Sequence, residues 1–166
     1  MIITELETAL ANALRRKSVS KLYCTLAHYG NPEVILNDAL KELKTRPIYR
    51  HDDLALTPKY LIDLSRPVRA VIPLESALWV FRMQYMCRRP LTKNDVMHYA
   101  MRIYTITGDI YVLKNRSKED FDEIEAVLTD RYPNFFYGYS KEHDEMVHYI
   151  LSEQKREIAE KKREKK

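Results

Sequence analysis

Residues Pro73–Pro90, PLESALWVFRMQYMCRRP, decide how the rest of the chain is read. Between the prolines, Leu74, Ala77, Leu78, Trp79, Val80, Phe81, Met83, Tyr85, Met86 and Cys87 leave little polar surface. Wound at the α-helical repeat, Leu74, Leu78, Phe81 and Tyr85 form one stripe, Trp79, Met83 and Met86 a second, and Val80 and Cys87 a third. A helix apolar around most of its circumference has to be surrounded by protein. Pro73 and Glu75 suit a first turn, Arg88 and Arg89 face the negative end of the helix dipole, and Pro90 stops the helix. The stretch therefore reads as the central helix of a single core.

Upstream, Leu6, Leu10 and Ala13 or Leu14 give one amphipathic helix. After the polar RRKS run, Ser18 is placed to cap a second, with Val19, Leu22, Tyr23 and Leu26 on its face and Gly30 at its end. Asn31, Pro32 and Glu33 announce a third helix over about residues 32–44, burying Ile35 or Leu36, Ala39, Leu40 and Leu43. Helix, glycine turn and helix over residues 19–44 have the outline of a helix-turn-helix. However, the would-be recognition helix opens with Glu33, Asn37 and Asp38, where phosphate would favour cations, so packing is its expected role. Pro47, Pro58, Pro67 and Pro73 break up the following region, leaving room for a short helix from Thr57 or Pro58 to Leu64 and for a short strand or extended link over Val68, Ala70, Val71 and Ile72.

Downstream, Thr92 and Asp95 make a capping-box-like pair for a helix reaching about Met101. Ile103–Ile106 and Ile110–Leu113, β-branched or aromatic for the most part, flank Thr107, Gly108 and Asp109 and read as a β-hairpin. Ser117 caps an amphipathic helix carrying Phe121, Ile124, Val127 and Leu128, with acids crowding its first turns. Asn134–Tyr139 reads as a strand or aromatic loop, and Ser140 starts a last helix. The predicted fold is α+β, predominantly helical with about six helices and a small antiparallel sheet near residues 102–139; an all-α bundle is the alternative. Residues 1–152 form one domain, and residues 153–166 a charged helical or disordered tail with almost nothing to bury.

Net charge is +7 over residues 1–116, −7 over 117–154 and +4 over the last twelve. That asymmetry points to a polyanion, to pairing within the chain, or to a protein partner. No apolar run approaches a membrane span, and Glu5 and Glu7 stand where a signal peptide needs positive charge, so a cytoplasmic protein off the membrane is expected. Cys24 and Cys87 lack a CxxC spacing and sit among apolar residues, which predicts reduced, buried thiols.

Motifs for chemistry are sparse. His143 and His148 miss the spacing that places two imidazoles on one helical face. The three glycines, Gly30, Gly108 and Gly138, build no phosphate-cradling loop and no nucleophile elbow. His51, Asp52 and Asp53 read as a turn, and His98 near Asp95 as a structural pair; these are the candidates for a site if the chain is an enzyme. No catalytic residue, metal ligand or cofactor is assigned.

What remains is a basic, aromatic-interleaved surface. Arg15, Arg16, Lys17 and Lys21 cluster at the first helical break, and Arg82, Arg88, Arg89, Lys93 and Arg102 around the Pro73–Pro90 stretch, with Tyr85 and Tyr99 nearby. Arginine beside aromatic rings serves phosphate contact and base stacking. The expectation is a small non-catalytic accessory or regulatory protein that binds nucleic acid, DNA or RNA. The alternative is an adaptor or assembly subunit holding a protein partner through its tyrosine-rich surface or its tail.

Overall fold

The stretch that reads as a central helix is a β-strand, which overturns both the predominantly helical chain of six helices and the all-α bundle. The computed structural model describes residues 5–17, 20–65, 69–88, 95–114 and 116–165. Among these, five helices and eight strands in two sheets make an α+β fold.

The first three helices form an outer layer. Helix α1 (Glu5–Arg16) buries Leu6, Leu10 and Ala13 at helical spacing. Helix α2 (Lys21–Leu26) is capped by Ser20, whose Oγ accepts from the Tyr23 N–H; Ser18, the expected cap, lies outside the described residues. Helix α3 (Pro32–Thr45) starts as its sequence directs, with the Asn31 side chain accepting from the Glu33 N–H at 3.0 Å.

Between Thr45 and Pro73, where a short helix and then a short strand or extended link are expected, the chain builds an antiparallel meander; Val68 lies outside the described residues. The meander comprises β1 (Tyr49–His51), β2 (Leu54–Leu56), β3 (Tyr60–Asp63) and β4 (Ala70–Pro73), in that order across the sheet. Asp52, at φ 50°, takes a left-handed position in the β1–β2 turn that aspartate tolerates. Strands β2 to β4 are buried throughout because both sides of the sheet are covered. Ala55, Tyr60, Ile62 and Val71 pack against α1–α3, while Leu54, Leu56, Leu61, Ala70 and Ile72 enter a central core.

A single 3-10 turn (Leu74–Ser76) leads into β5 (Ala77–Arg88), which pairs along its whole length with β6 (Asp95–Thr105). The helix expected from Thr92 to Met101 is therefore also strand; Thr92 itself lies outside the described residues. A turn over residues 106–109 joins β6 to β7 (Ile110–Lys114). Helix α4 (Lys118–Arg131) follows, its start fixed by a reciprocal capping box between Ser117 and Asp120. Strand β8 (Phe136–Tyr137) then adds in parallel to Trp79 and Val80 of β5, and α5 (Lys141–Glu164) runs unbroken through most of the charged tail.

Alternation explains the misreading of β5. Val80, Arg82, Gln84 and Met86 point to one side, and Trp79, Phe81, Met83, Tyr85 and Cys87 to the other. Near its start both sides are covered: Val80 joins Met101, Ile103, Leu113 and the α4 residues Phe121, Ile124 and Leu128 in the central core, and Trp79 and Phe81 pack with Tyr104 and Val147 of α5. A strand buried on both faces loses its polar alternation and imitates a buried helix. Towards Arg88 the β5–β6 ribbon outruns its neighbours. Strand β8 reaches only Val80 and β7 stops opposite Ala100, so Met86, Met97 and Tyr99 are exposed.

Cys24 and Cys87 are exposed rather than buried and are not bonded to each other. Among the described residues no helix is long and apolar enough to cross a membrane.

Candidate functional site

Among the described residues, two of the basic residues singled out in the sequence, Arg82 and Arg102, sit on opposite sides of the β5–β6 ribbon. Arg82, on the inner side of β5, reaches α4, where its guanidinium lies 2.7 Å from Asp122 and also contacts Glu125. Asp122 and Glu125, three residues apart, share one side of that helix and neutralise it. Arg102 points to the opposite side of the ribbon, its guanidinium carbon 5.9 Å from the Phe81 ring centroid, and its buried Nε has no hydrogen-bond partner. Arg88 ends β5, and its side chain, like Arg89 and Lys93 altogether, lies outside the described residues.

At the α1–α2 junction the cations do come together. Arg15 and Arg16 close α1, where the carbonyl end of the dipole favours them, and Lys21 opens α2. Lys17 is committed to Glu33 at 3.1 Å. A residue absent from the sequence reading completes the cluster: Arg69, from the link between β3 and β4, lines one cleft of about 470 Å³ together with Arg16 and Lys21. No carboxylate lines that cleft, and neither Arg16, Lys21 nor Arg69 has an ion-pair partner among the described residues. No local pattern flags Arg69, because it stands 48 positions beyond Lys21 and only the meander brings it there.

The histidines have structural partners. His51 Nδ1 meets the nearly inaccessible Asp120 at 2.8 Å, and the Tyr49 hydroxyl donates to the same carboxylate at 2.6 Å, tying β1 to the start of α4. His98 stacks on Tyr85 along the ribbon, with ring centroids 5.4 Å apart. His148 pairs with Asp144 one helical turn away at 3.1 Å. Asp53 pairs with the buried Arg116 at 2.8 Å, and the Asp52 carboxylate lies 3.7 Å from His51 Nε2. Among the described residues no group of three or more His, Cys, Asp or Glu side chains is placed to hold a metal ion.

Sequence reasoning also missed a polar network between the α2–α3 junction and the β6–β7 turn. The Tyr29 hydroxyl donates to Asp109 at 2.8 Å and lies 3.1 Å from that of Tyr111; Thr107 donates to Asp109, and His28 Nδ1 stands 3.1 Å from it. Burial pushes the Tyr29 and Tyr111 phenols upward. Burial would raise the Asp109 carboxyl too, but hydrogen bonds from Thr107, Tyr29 and His28 hold it below the ordinary range. The network borders a cavity of about 610 Å³ in which the Ser76 hydroxyl donates to the Pro73 carbonyl rather than to a base. It cross-braces the helical layer to the second sheet.

The Asp120 cluster sets a pH dependence. Burial works against the Asp120 carboxylate, but hydrogen bonds from Tyr49, His51 and Ser117 hold its pKa below the usual range, whereas the hydrogen bond to Asp120 and its charge raise His51. The same carboxylate pushes Tyr49 up to about 12. A lowered acid contributes stability above its unfolded value of about 3.9 and loses it as pH falls through the folded value. A raised histidine contributes fully below about 6.5 and loses that contribution as pH rises through its folded value. Melting temperature should therefore fall on both sides of a plateau between roughly pH 4 and 6.5. His51→Gln should flatten the alkaline limb and reduce the acid one only in part, since Tyr49 and Ser117 still bond Asp120; an unchanged alkaline limb would assign it to another group.

Compared with protein-family models, curated proteins and solved structures, the chain matches none.

Proposed function

We propose that this chain is a non-catalytic binding protein that holds a polyanion, most simply nucleic acid, on the α1–α2 end of its helical layer. The observation that carries this reading is the exposed cluster of Arg15, Arg16, Lys21 and Arg69, three of which line one cleft with no carboxylate. Clustered cations without counter-charges repel one another, and an anionic backbone removes that repulsion while releasing its own counterions. Arg82 and Arg102 do not belong to this surface: the first is neutralised by α4, and the second lies over Phe81. The cytoplasm is the compartment we assign, since exposed Cys24 and Cys87 stay reduced there.

The test is anisotropy of a labelled single-stranded oligonucleotide titrated with the protein at several salt concentrations. Engagement of four cations predicts a log–log slope of about −3. The triple variant Arg15→Glu, Arg16→Glu, Lys21→Glu should lose more than tenfold in affinity, while Arg102→Gln stays within twofold. Salt-independent binding, or equal loss in Arg102→Gln, would remove this surface from consideration.

A second reading, a protein partner, is favoured by the ribbon. The Val80 carbonyl accepts from the Gly138 N–H, so the backbone groups of Arg82, Gln84 and Met86 face the same side of β5, beyond the reach of β8. An edge that no described strand covers beyond Val80, beside exposed Met86, invites an added strand. Gln84→Pro removes one of those outward N–H groups, so it should abolish such binding and spare the oligonucleotide; partner binding that survives it sinks strand addition.

A further inference from the structure

We infer that the cleft between Arg16, Lys21 and Arg69 is a seat for a phosphate monoester, the terminal phosphate of a nucleic acid strand or of a small phosphorylated molecule. The inference rests on the polyanion reading for its location but asks for a different ligand group. A polymer backbone tracks along an open surface, whereas a concavity of about 470 Å³ is entered by an end. Three cations with no acid beside them complement a group carrying between one and two negative charges, and a monoester near neutral pH carries more charge than a backbone diester.

Two neutral donors complete the seat. Arg15 donates to Asn12 Oδ1, which leaves the Asn12 amide hydrogens as the free part of that side chain, and Asn12 lines the cleft. Ser20 Oγ, also in the lining, accepts from the Tyr23 N–H as the cap of α2, so its own hydrogen remains available. The cations therefore come with hydrogen-bond donors whose acceptor sides are already used.

What is missing from the cleft sets its specificity. Among the described residues no aromatic ring lines it, so no base or sugar-stacking platform accompanies the phosphate there, and recognition rests on the charged group. The backbone is distorted around the same cleft: Arg69 sits at φ 38°, and Lys17, beside Arg16, at φ 44°, both in the left-handed region that non-glycine residues rarely adopt.

The experiment compares one oligonucleotide sequence carrying a 5′-phosphate or a 5′-hydroxyl, and ribose 5-phosphate alone, by calorimetric titration at fixed salt. A 5′-phosphate should tighten binding at least tenfold. Arg69→Asn, which keeps a residue tolerant of the left-handed conformation, and Lys21→Gln should each erase most of that ratio while weakening the 5′-hydroxyl strand only by the share of one cation among four. Equal binding of the two strands overturns the phosphate seat and leaves the polyanion surface standing. Binding of ribose 5-phosphate, sensitive to Arg69→Asn, with no binding of either strand, supports the seat and overturns the nucleic-acid reading. Failure of all three ligands overturns both.

Discussion

Arg116→Met is expected to cost about 3–5 kcal/mol, because it leaves a fully buried carboxylate without its counter-charge. Arg116 is 6% exposed and reaches Asp63, 0% exposed, at 2.7 Å and Asp53 at 2.8 Å. This bridge joins the segment before α4 to the end of β3 and to the β1–β2 turn, so losing it loosens the meander from the second sheet. The pairing is not ideal: Asp63 Oδ2 and Arg116 Nε are both buried without a hydrogen-bond partner, and Asp63 Oδ1 is shared with Ser65. Desolvation therefore offsets much of the attraction, and the cost of the single change is mainly that of the charge left behind. Asp63→Asn combined with Arg116→Met keeps an acceptor for the Ser65 N–H and should recover most of the loss. Urea denaturation followed by circular dichroism reads both variants; a double variant no more stable than Arg116→Met would refute that explanation.

Trp79→Ala should destabilise by a similar amount, about 3–5 kcal/mol. Trp79 is 1% exposed, its ring centroid lies 4.4 Å from that of Phe81 and 5.0 Å from that of Tyr104, and its Nε1 donates to the Gly138 carbonyl at 2.9 Å. Removing it opens a cavity beneath α5 and releases the hydrogen bond that ties the β8 segment to β5. Trp79→Phe keeps most of the ring volume and gives up the Gly138 bond, so it should cost no more than about 2 kcal/mol. A loss below about 1 kcal/mol for Trp79→Ala would mean that α5 is not held through this contact.

Start signals read at Pro73–Glu75 and at Thr92–Asp95 announce helices where strands form, whereas three other helix starts were legible: Asn31–Pro32–Glu33, Ser117 and Ser140 each cap the helix they announce. Most strands were not. In Ala77–Phe81 the apolar residues on successive positions serve two different cores and erase the alternation, leaving only the short Phe81–Tyr85 run to signal a strand. The prolines of residues 45–73 signal irregularity in the sequence, yet they punctuate a meander. Pro47 precedes β1, Pro58 lies in the turn between β2 and β3, and Pro73 ends β4. The site was half legible for the same reason. Arg15, Arg16 and Lys21 are neighbours in sequence, but Arg69 joins them only through the sheet, and the removal of Arg82 depends on where α4 packs.

Amide chemical-shift mapping with a 5′-hydroxyl single-stranded oligonucleotide tests most directly which surface receives the polyanion. The perturbed amides should be those around Arg15, Arg16, Ser20, Lys21 and Arg69, with Gln84, Met86 and Tyr99 unmoved. Shifts centred on the β5–β6 ribbon, with the α1–α2 junction silent, would contradict the assignment.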